Sequence, residues 1–134
     1  MSGRRTGGCA CGAVRYRCGP LLCPPTLCHC ESCRRYSGAH VVGWLTARDS
    51  DFALTAGSLR EVESSPGVHR GFCAECGTPL TYRHAARVAE TDVTISSLDD
   101  PASVVPVDHI WMADALPWDR PGDGLPQYPA RRPD

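Results

Sequence analysis

Nine cysteines in a chain of 134 residues constrain this fold more than any other feature. They fall into three tight clusters and two singles. Cys9-Ala10-Cys11 is a C-x-C, Cys28-His29-Cys30-Glu31-Ser32-Cys33 a C-x-C-x-x-C, and Cys73-Ala74-Glu75-Cys76 a C-x-x-C, with Cys18 and Cys23 alone. Two thiolates two or three residues apart can face one tetrahedral ion at about 2.3 Å. A glycine after the pair, as Gly12 and Gly77 are here, lets backbone amides turn toward the sulfurs. Buried cysteines acting as small hydrophobes would account for one pair but not for three clusters. An odd count also fits a fully paired disulfide scaffold poorly. The N-terminal Met1-Ser2-Gly3-Arg4-Arg5-Thr6-Gly7-Gly8 has no apolar run behind its arginines and does not read as a secretory signal. The expected compartment is therefore the cytoplasm, where thiols stay reduced and clustered cysteines bind metal. Cys18 and Cys23 are expected to be buried or free thiols.

The length is that of one domain, and folding should bury roughly two-thirds of the extended chain's surface. Hydrophobic residues at 42% and charged residues at 22% are ordinary globular usage, which excludes wholesale disorder. A net charge of −1 without a basic run argues against nucleic acid or an anionic membrane as partner. No stretch approaches the roughly 18 apolar residues of a membrane span. All 14 basic residues are arginine, so lysine chemistry is excluded. Short, β-prone, partly alternating segments run over 13–18, 41–46, 59–63, 69–73, 78–83 and 92–98, punctuated by glycine and proline. The stretch 31–36 suits one helical turn, and Asp99-Asp100-Pro101-Ala102 reads as a helix start. The expectation is a mainly β, single small domain of many short strands that gains from metal cross-links, irregular from Pro117 onward.

Spacing alone leaves the pairing of clusters open. Cys30 and Cys33 with Cys73 and Cys76 would make a ribbon with Cys9 and Cys11 to spare. Cys9 and Cys11 with Cys73 and Cys76 would instead close a four-thiolate site. Cys28, Cys30 and Cys33 then become three ligands with an open position, the signature of a reactive zinc.

The segments Gly8–Tyr16, Cys28–Gly38, Ser64–Thr78 and Ser97–Pro101 resemble the glutathione-dependent formaldehyde-activating enzyme (GFA) family, whose domain is shared with centromere protein V. His109-Ile110-Trp111, Leu116-Pro117-Trp118 and Asp123–Pro129 extend the likeness, so it runs in order over about 7–129, with 1–6 and 130–134 expected as flexible tails. The resemblance implies two zinc ions per chain. One, structural, would sit on Cys9, Cys11, Cys73 and Cys76, and the second on Cys28, Cys30 and Cys33, the catalytic set. It also implies a single small domain of several short β-sheets built around zinc, the fold of a Rab-binding zinc protein, the mammalian suppressor of a yeast secretion defect. Where the family usually follows Gly38 with a small residue or proline and then an aromatic, this chain reads Ala39-His40-Val41.

A zinc carrying three thiolates has a net charge of −1, so it acidifies water less than a three-histidine site and suits a fourth sulfur ligand better than hydrolysis. The family reaction fits that chemistry: a small-molecule thiol such as glutathione condenses reversibly with formaldehyde or a related small aldehyde. The enzyme would be a carbon–sulfur lyase of the S-(hydroxymethyl)glutathione synthase kind. Arg34 and Arg35 are candidates to grip the thiol's carboxylates. By the resemblance, His109 and Trp111 line the pocket. His29 reads as support for the ligands, and His40 as a fourth ligand, a proton shuttle or a packing residue. Two other classes compete: a non-catalytic zinc protein that binds thiols or a partner, and a thiol-based redox or metal sensor.

Overall fold

The computed structural model describes residues 3–133. Its strands group into two sheets. Strands β1 (Arg5–Gly8), β2 (Arg15–Cys18) and β5 (Phe52–Ala56) form a three-stranded sheet in the order β1-β2-β5. The other seven are β3 (Thr26–Cys28), β4 (Val42–Arg48), β6 (Arg60–Ser65), β7 (Val68–Phe72), β8 (Pro79–His84), β9 (Glu90–Thr94) and β10 (His109–Ile110). They pair in the order β10-β3-β4-β9-β8-β7-β6. All pairings are antiparallel except β10 with β3. One α-helix, α1 (Glu31–Ser37), stands between β3 and β4. No helix among the described residues is long and apolar enough to cross a membrane.

Six strands fall where alternation and β-propensity predict them. The four that escaped, β1, β3, β5 and β10, are short or rich in glycine and threonine, and they exist because a neighbour offers its edge. Arg5 and Thr6, expected in a tail, belong to β1 and pair with Cys18 and Arg17. At the other end Arg132 donates to the buried Asp108 carboxylate and to the Pro24 carbonyl, so the C-terminal stretch is also tied down. Met1, Ser2 and Asp134 lie outside the described residues. The expected helix start at 99–102 is a single 3₁₀ turn, Pro101–Ser103, with no side-chain cap from Asp100.

The central strand β4 explains the layout. Leu45 and Ala47, fully buried, join a core with Val14, Tyr16, Leu80 and Val93, packed between the two sheets. Val42 and Trp44 point the other way and join a second core with Cys28 and Cys33, flanked by Tyr82 and Ile110. Period-2 alternation therefore puts one face of β4 on the sandwich core and the other on a cysteine cluster. The outer strand β6 is almost wholly exposed and carries Arg60, Glu61 and Glu63, which blunts an edge that would otherwise invite pairing.

Candidate metal centres and the cavity beside Cys33

Two separate sulfur clusters form. In each, the Sγ atoms all lie within 4.8 Å of one another: Cys9, Cys11, Cys73 and Cys76 in the first, Cys28, Cys30 and Cys33 in the second. The ribbon pairing of Cys30 and Cys33 with Cys73 and Cys76 does not occur. The nine cysteines carry no disulfide; Cys18 is buried in the main core and Cys23 is exposed.

The first cluster is built by two similar turns, one between β1 and β2 and one between β7 and β8. The Cys9 N–H donates to the Val14 carbonyl at 3.0 Å, and the Cys73 N–H to the Thr78 carbonyl at 3.1 Å. Gly12 and Gly77 close these turns with φ of +82° and +81°, where a side chain would be strained. A tetrahedral ion with arms of about 2.3 Å has sulfur–sulfur edges of about 3.8 Å. The Cys9–Cys11 and Cys11–Cys73 sulfurs are 3.6 and 3.9 Å apart, so these four side chains fit such an ion. Backbone and hydroxyl donors point at the sulfurs: Val14 N–H to Cys9 at 3.2 Å, and Thr78 Oγ1 at 3.1 Å from Cys76. The Thr78 hydroxyl and N–H hold the Cys76 thiol down at about 5. The Val14 N–H lowers Cys9. At Cys11 a contact with Ala13 acts downward, but the neighbouring Cys9 and Cys76 outweigh it and push the thiol up to about 12.

The second cluster sits where β3 runs into α1. Cys28 ends β3 opposite Val42 of β4 and Ile110 of β10. Cys30 is the N-cap residue of α1, its sulfur accepting from the Cys33 N–H at 3.3 Å in the place a serine oxygen usually takes. Hydrogen bonds from Cys28 and Cys33 hold the Cys30 thiol far below its ordinary value, and the same contacts with burial push Cys28 up.

Beside Cys33 opens a cavity of about 390 Å³, walled by Tyr36, Val42, Trp44, Arg70, Phe72 and Pro79 among others. Arg70 does not stand out in the sequence, because only the β7–β8 register sets it opposite Tyr82 and against Cys33. Its Nη1 and Nη2 lie 3.7 and 3.8 Å from Cys33 Sγ. Tyr36, one helical turn after Cys33 on α1, covers it from the other side.

The other predicted residues take different places. Arg35 is exposed and pairs with Glu31 of its own helix at 2.9 Å. Arg34 donates to the Asp114 carbonyl at 3.2 Å while its Nε stays buried without a partner. Both border a shallower depression with His40, Leu116 and Trp118, away from the cavity beside Cys33. His40 is not among the clustered ligand atoms; it rests against the Trp118 ring, 3.9 Å from Asp119. His109 and Trp111, expected to line the pocket, do not line this cavity. Trp111 adopts a left-handed φ of 58° that turns the chain, and its N–H donates to the Ala130 carbonyl. His109 is buried in a relay instead: its Nδ1 is 2.8 Å from His29 Nε2, and its Nε2 is 2.8 Å from Asp123 Oδ2. His29 Nδ1 lies 3.1 Å from Asp119 Oδ2, within ion-pair range but misaligned for a hydrogen bond. Burial holds His29 below the ordinary imidazole value, the nearby Asp119 notwithstanding. His29 thus braces the loop between two candidate ligands from behind.

Comparisons with known proteins bear on the family and the fold. A family model described as "Glutathione-dependent formaldehyde-activating enzyme" matches residues 4–114. A protein of Halomonas elongata named "Putative glutathione-dependent formaldehyde-activating enzyme" is 34% identical over 83 residues, covering 55% of this chain. The match covers 52% of that relative, so the chain spans about half its length. A crystal structure of a Rhodobacter sphaeroides protein aligns with a TM-score of 0.60 at 25% identity, over 92% of this chain and 98% of that one.

Proposed function

Because the chain belongs to the glutathione-dependent formaldehyde-activating enzyme family, we propose that it is a zinc-dependent carbon–sulfur lyase that joins a small thiol to formaldehyde or a related small aldehyde, reversibly. The observation that carries this reading is the inequality of the two clusters: four sulfurs in one, three in the other, and the three beside a cavity. Cys9, Cys11, Cys73 and Cys76 would hold a structural zinc, and Cys28, Cys30 and Cys33 a second zinc with a position left for a ligand from outside. Thiolate sulfur is a donor that suits zinc in both places. When bound, the second ion supplies stabilisation of an incoming thiol as its thiolate at neutral pH.

The chain's own residues do the rest. Cys30 caps α1, its sulfur accepting from the Cys33 N–H, and Cys28 ends β3 on a paired backbone, so both ligand positions are set by ordered main chain. Trp44, Phe72 and Pro79 keep the cavity apolar and so disfavour water as a competing nucleophile. In the reaction the thiol sulfur forms a bond to the aldehyde carbon, the carbonyl π bond opens, and the thiol's proton ends on the aldehyde oxygen. No electron is gained or lost overall. The test is exchange spectroscopy of ¹³C-formaldehyde with glutathione. The zinc-loaded protein should accelerate formation and breakdown of the hydroxymethyl adduct above the spontaneous rate, and Cys30→Ser should not. An unaccelerated exchange would reject catalysis. If glutathione still perturbed the spectrum of the cobalt-loaded protein, the thiol-binding alternative would take its place.

A further inference from the structure

Arg70 poses a problem of charge. It is a buried guanidinium at 8% exposure, and no carboxylate of the described residues pairs with it. Its Nε donates to Ser64 Oγ at 3.1 Å. The rings of Tyr36 and Tyr82 stand 5.1 and 4.9 Å from its Cζ, within cation–π range. Among the described residues, Nη1 and Nη2 each have one hydrogen-bond partner, Cys33 Sγ. Burying a charge without a counter-charge is costly, so this arginine calls for an anionic partner beside it. The three-cysteine site, which touches it through Cys33 Sγ, is the ligand set in contact with that charge.

We propose that Arg70 is the built-in counter-ion of the three-cysteine site, orienting Cys33 and letting the site accept an anionic fourth ligand, an external thiolate. A divalent ion with three thiolates carries −1, and a fourth thiolate would take it to −2 in a largely buried place. The fixed positive charge beside Cys33 brings these to 0 and −1. The four-cysteine cluster has no such arginine: no guanidinium of the described residues hydrogen-bonds to its sulfurs, and the nearby Arg15 is spent on Asp99. That cluster needs no compensation of this kind, since Cys11 and Cys76 are exposed to water. Ser64 and the two tyrosines hold the guanidinium so that it cannot swing away to solvent. Arg70 is thus a positioning residue that acts through Cys33.

The inference rests on the proposed thiol-binding zinc site, and the experiment separates the two. The full chain is loaded with cobalt(II), and two quantities are measured in wild type, Arg70→Gln and Arg70→Lys: the rate at which each site loses cobalt to a chelator, and the affinity for 2-mercaptoethanol read from the sulfur-to-cobalt charge-transfer band. In Arg70→Gln, release from the three-cysteine site should be about 10- to 100-fold faster and thiol affinity lower by a similar factor, the usual effect of losing a partner of a metal ligand. Release from the four-cysteine site should not change, which a general loss of fold would not spare. Arg70→Lys, which restores the charge without the fork, should recover part of both. Equal release rates in wild type and Arg70→Gln, or no recovery by lysine, would overturn the proposal. If Arg70→Gln does not fold, Ser64→Ala carries the test, with severalfold faster release expected and an unchanged rate overturning it. If wild type holds cobalt at the three-cysteine site but never binds the thiol, the functional reading fails while the release rates still judge Arg70.

Discussion

Cys9→Ser and Cys30→Ser should fail in different ways, and the size of the difference follows from where the two clusters lie in the chain. The four-cysteine cluster joins a turn of the three-stranded sheet to a turn of the seven-stranded one, across 62 positions between Cys11 and Cys73. Closing a loop of that length restricts the unfolded chain by about 4 kcal/mol, whereas the five positions from Cys28 to Cys33 give about 2 kcal/mol. The metal outweighs both, since a structural zinc contributes on the order of 10 kcal/mol to folding, comparable to the whole stability of a domain this size. Serine at position 9 removes one of the four proposed ligands, so Cys9→Ser should behave like Cys73→Ser, with little soluble protein and no cooperative melt. Cys30→Ser spares the link between the sheets and costs a sulfur cap of α1, about 1 kcal/mol if the serine hydroxyl takes over poorly. It should fold, hold one zinc and bind no thiol. Thermal melts and zinc counts on the three variants provide the assay. A Cys9→Ser protein that melts like wild type beside a Cys30→Ser protein that does not fold would refute the assignment of the structural ion.

Protein purified without chelator or oxygen should contain two zinc ions per chain; one or none by elemental analysis contradicts the two-site reading. Thiolate ligation at both sites should also lower the isoelectric point relative to the reduced, metal-free chain, whose sequence value is near 6.5, as isoelectric focusing would show. Leu80, with no exposed surface in the main core, should cost about 2–5 kcal/mol on truncation to alanine, read from denaturant unfolding. Asp108 is buried, which by itself raises its carboxyl, but Arg132 and Thr26 outweigh this and hold it below the usual carboxylate range. A depressed folded value stabilises above the unfolded value near 3.9 and is lost as pH falls through the folded one. Asp108→Asn should therefore cost about 1–3 kcal/mol at pH 7, with the gap to wild type closing below about pH 4.

The cysteine spacing by itself determined that the chain carries clustered thiols of the kind that can hold a metal. The two clusters are legible because their members are two or three residues apart, a distance that local turns span unaided. β-Propensity and alternation likewise announced β2, β4, β6, β7, β8 and β9, and a run of helix-compatible residues announced α1. What no spacing could decide was which clusters meet. Cys9 and Cys11 reach Cys73 and Cys76 only because the β1–β2 and β7–β8 turns come together from different sheets, and that is a property of sheet packing. The same holds for Arg70: its place beside Cys33 comes from pairing opposite Tyr82 in a register that side-chain identity does not announce. His109 shows the converse. Its motif is local, yet it is the parallel pairing of β10 with β3 that sets the imidazole against His29, between two candidate ligands. Local sequence writes short-range geometry, because a turn or a helix cap involves neighbours in the chain. Charge compensation and the choice of partner cluster are long-range, and they emerge only when burial forces distant segments to share one interior.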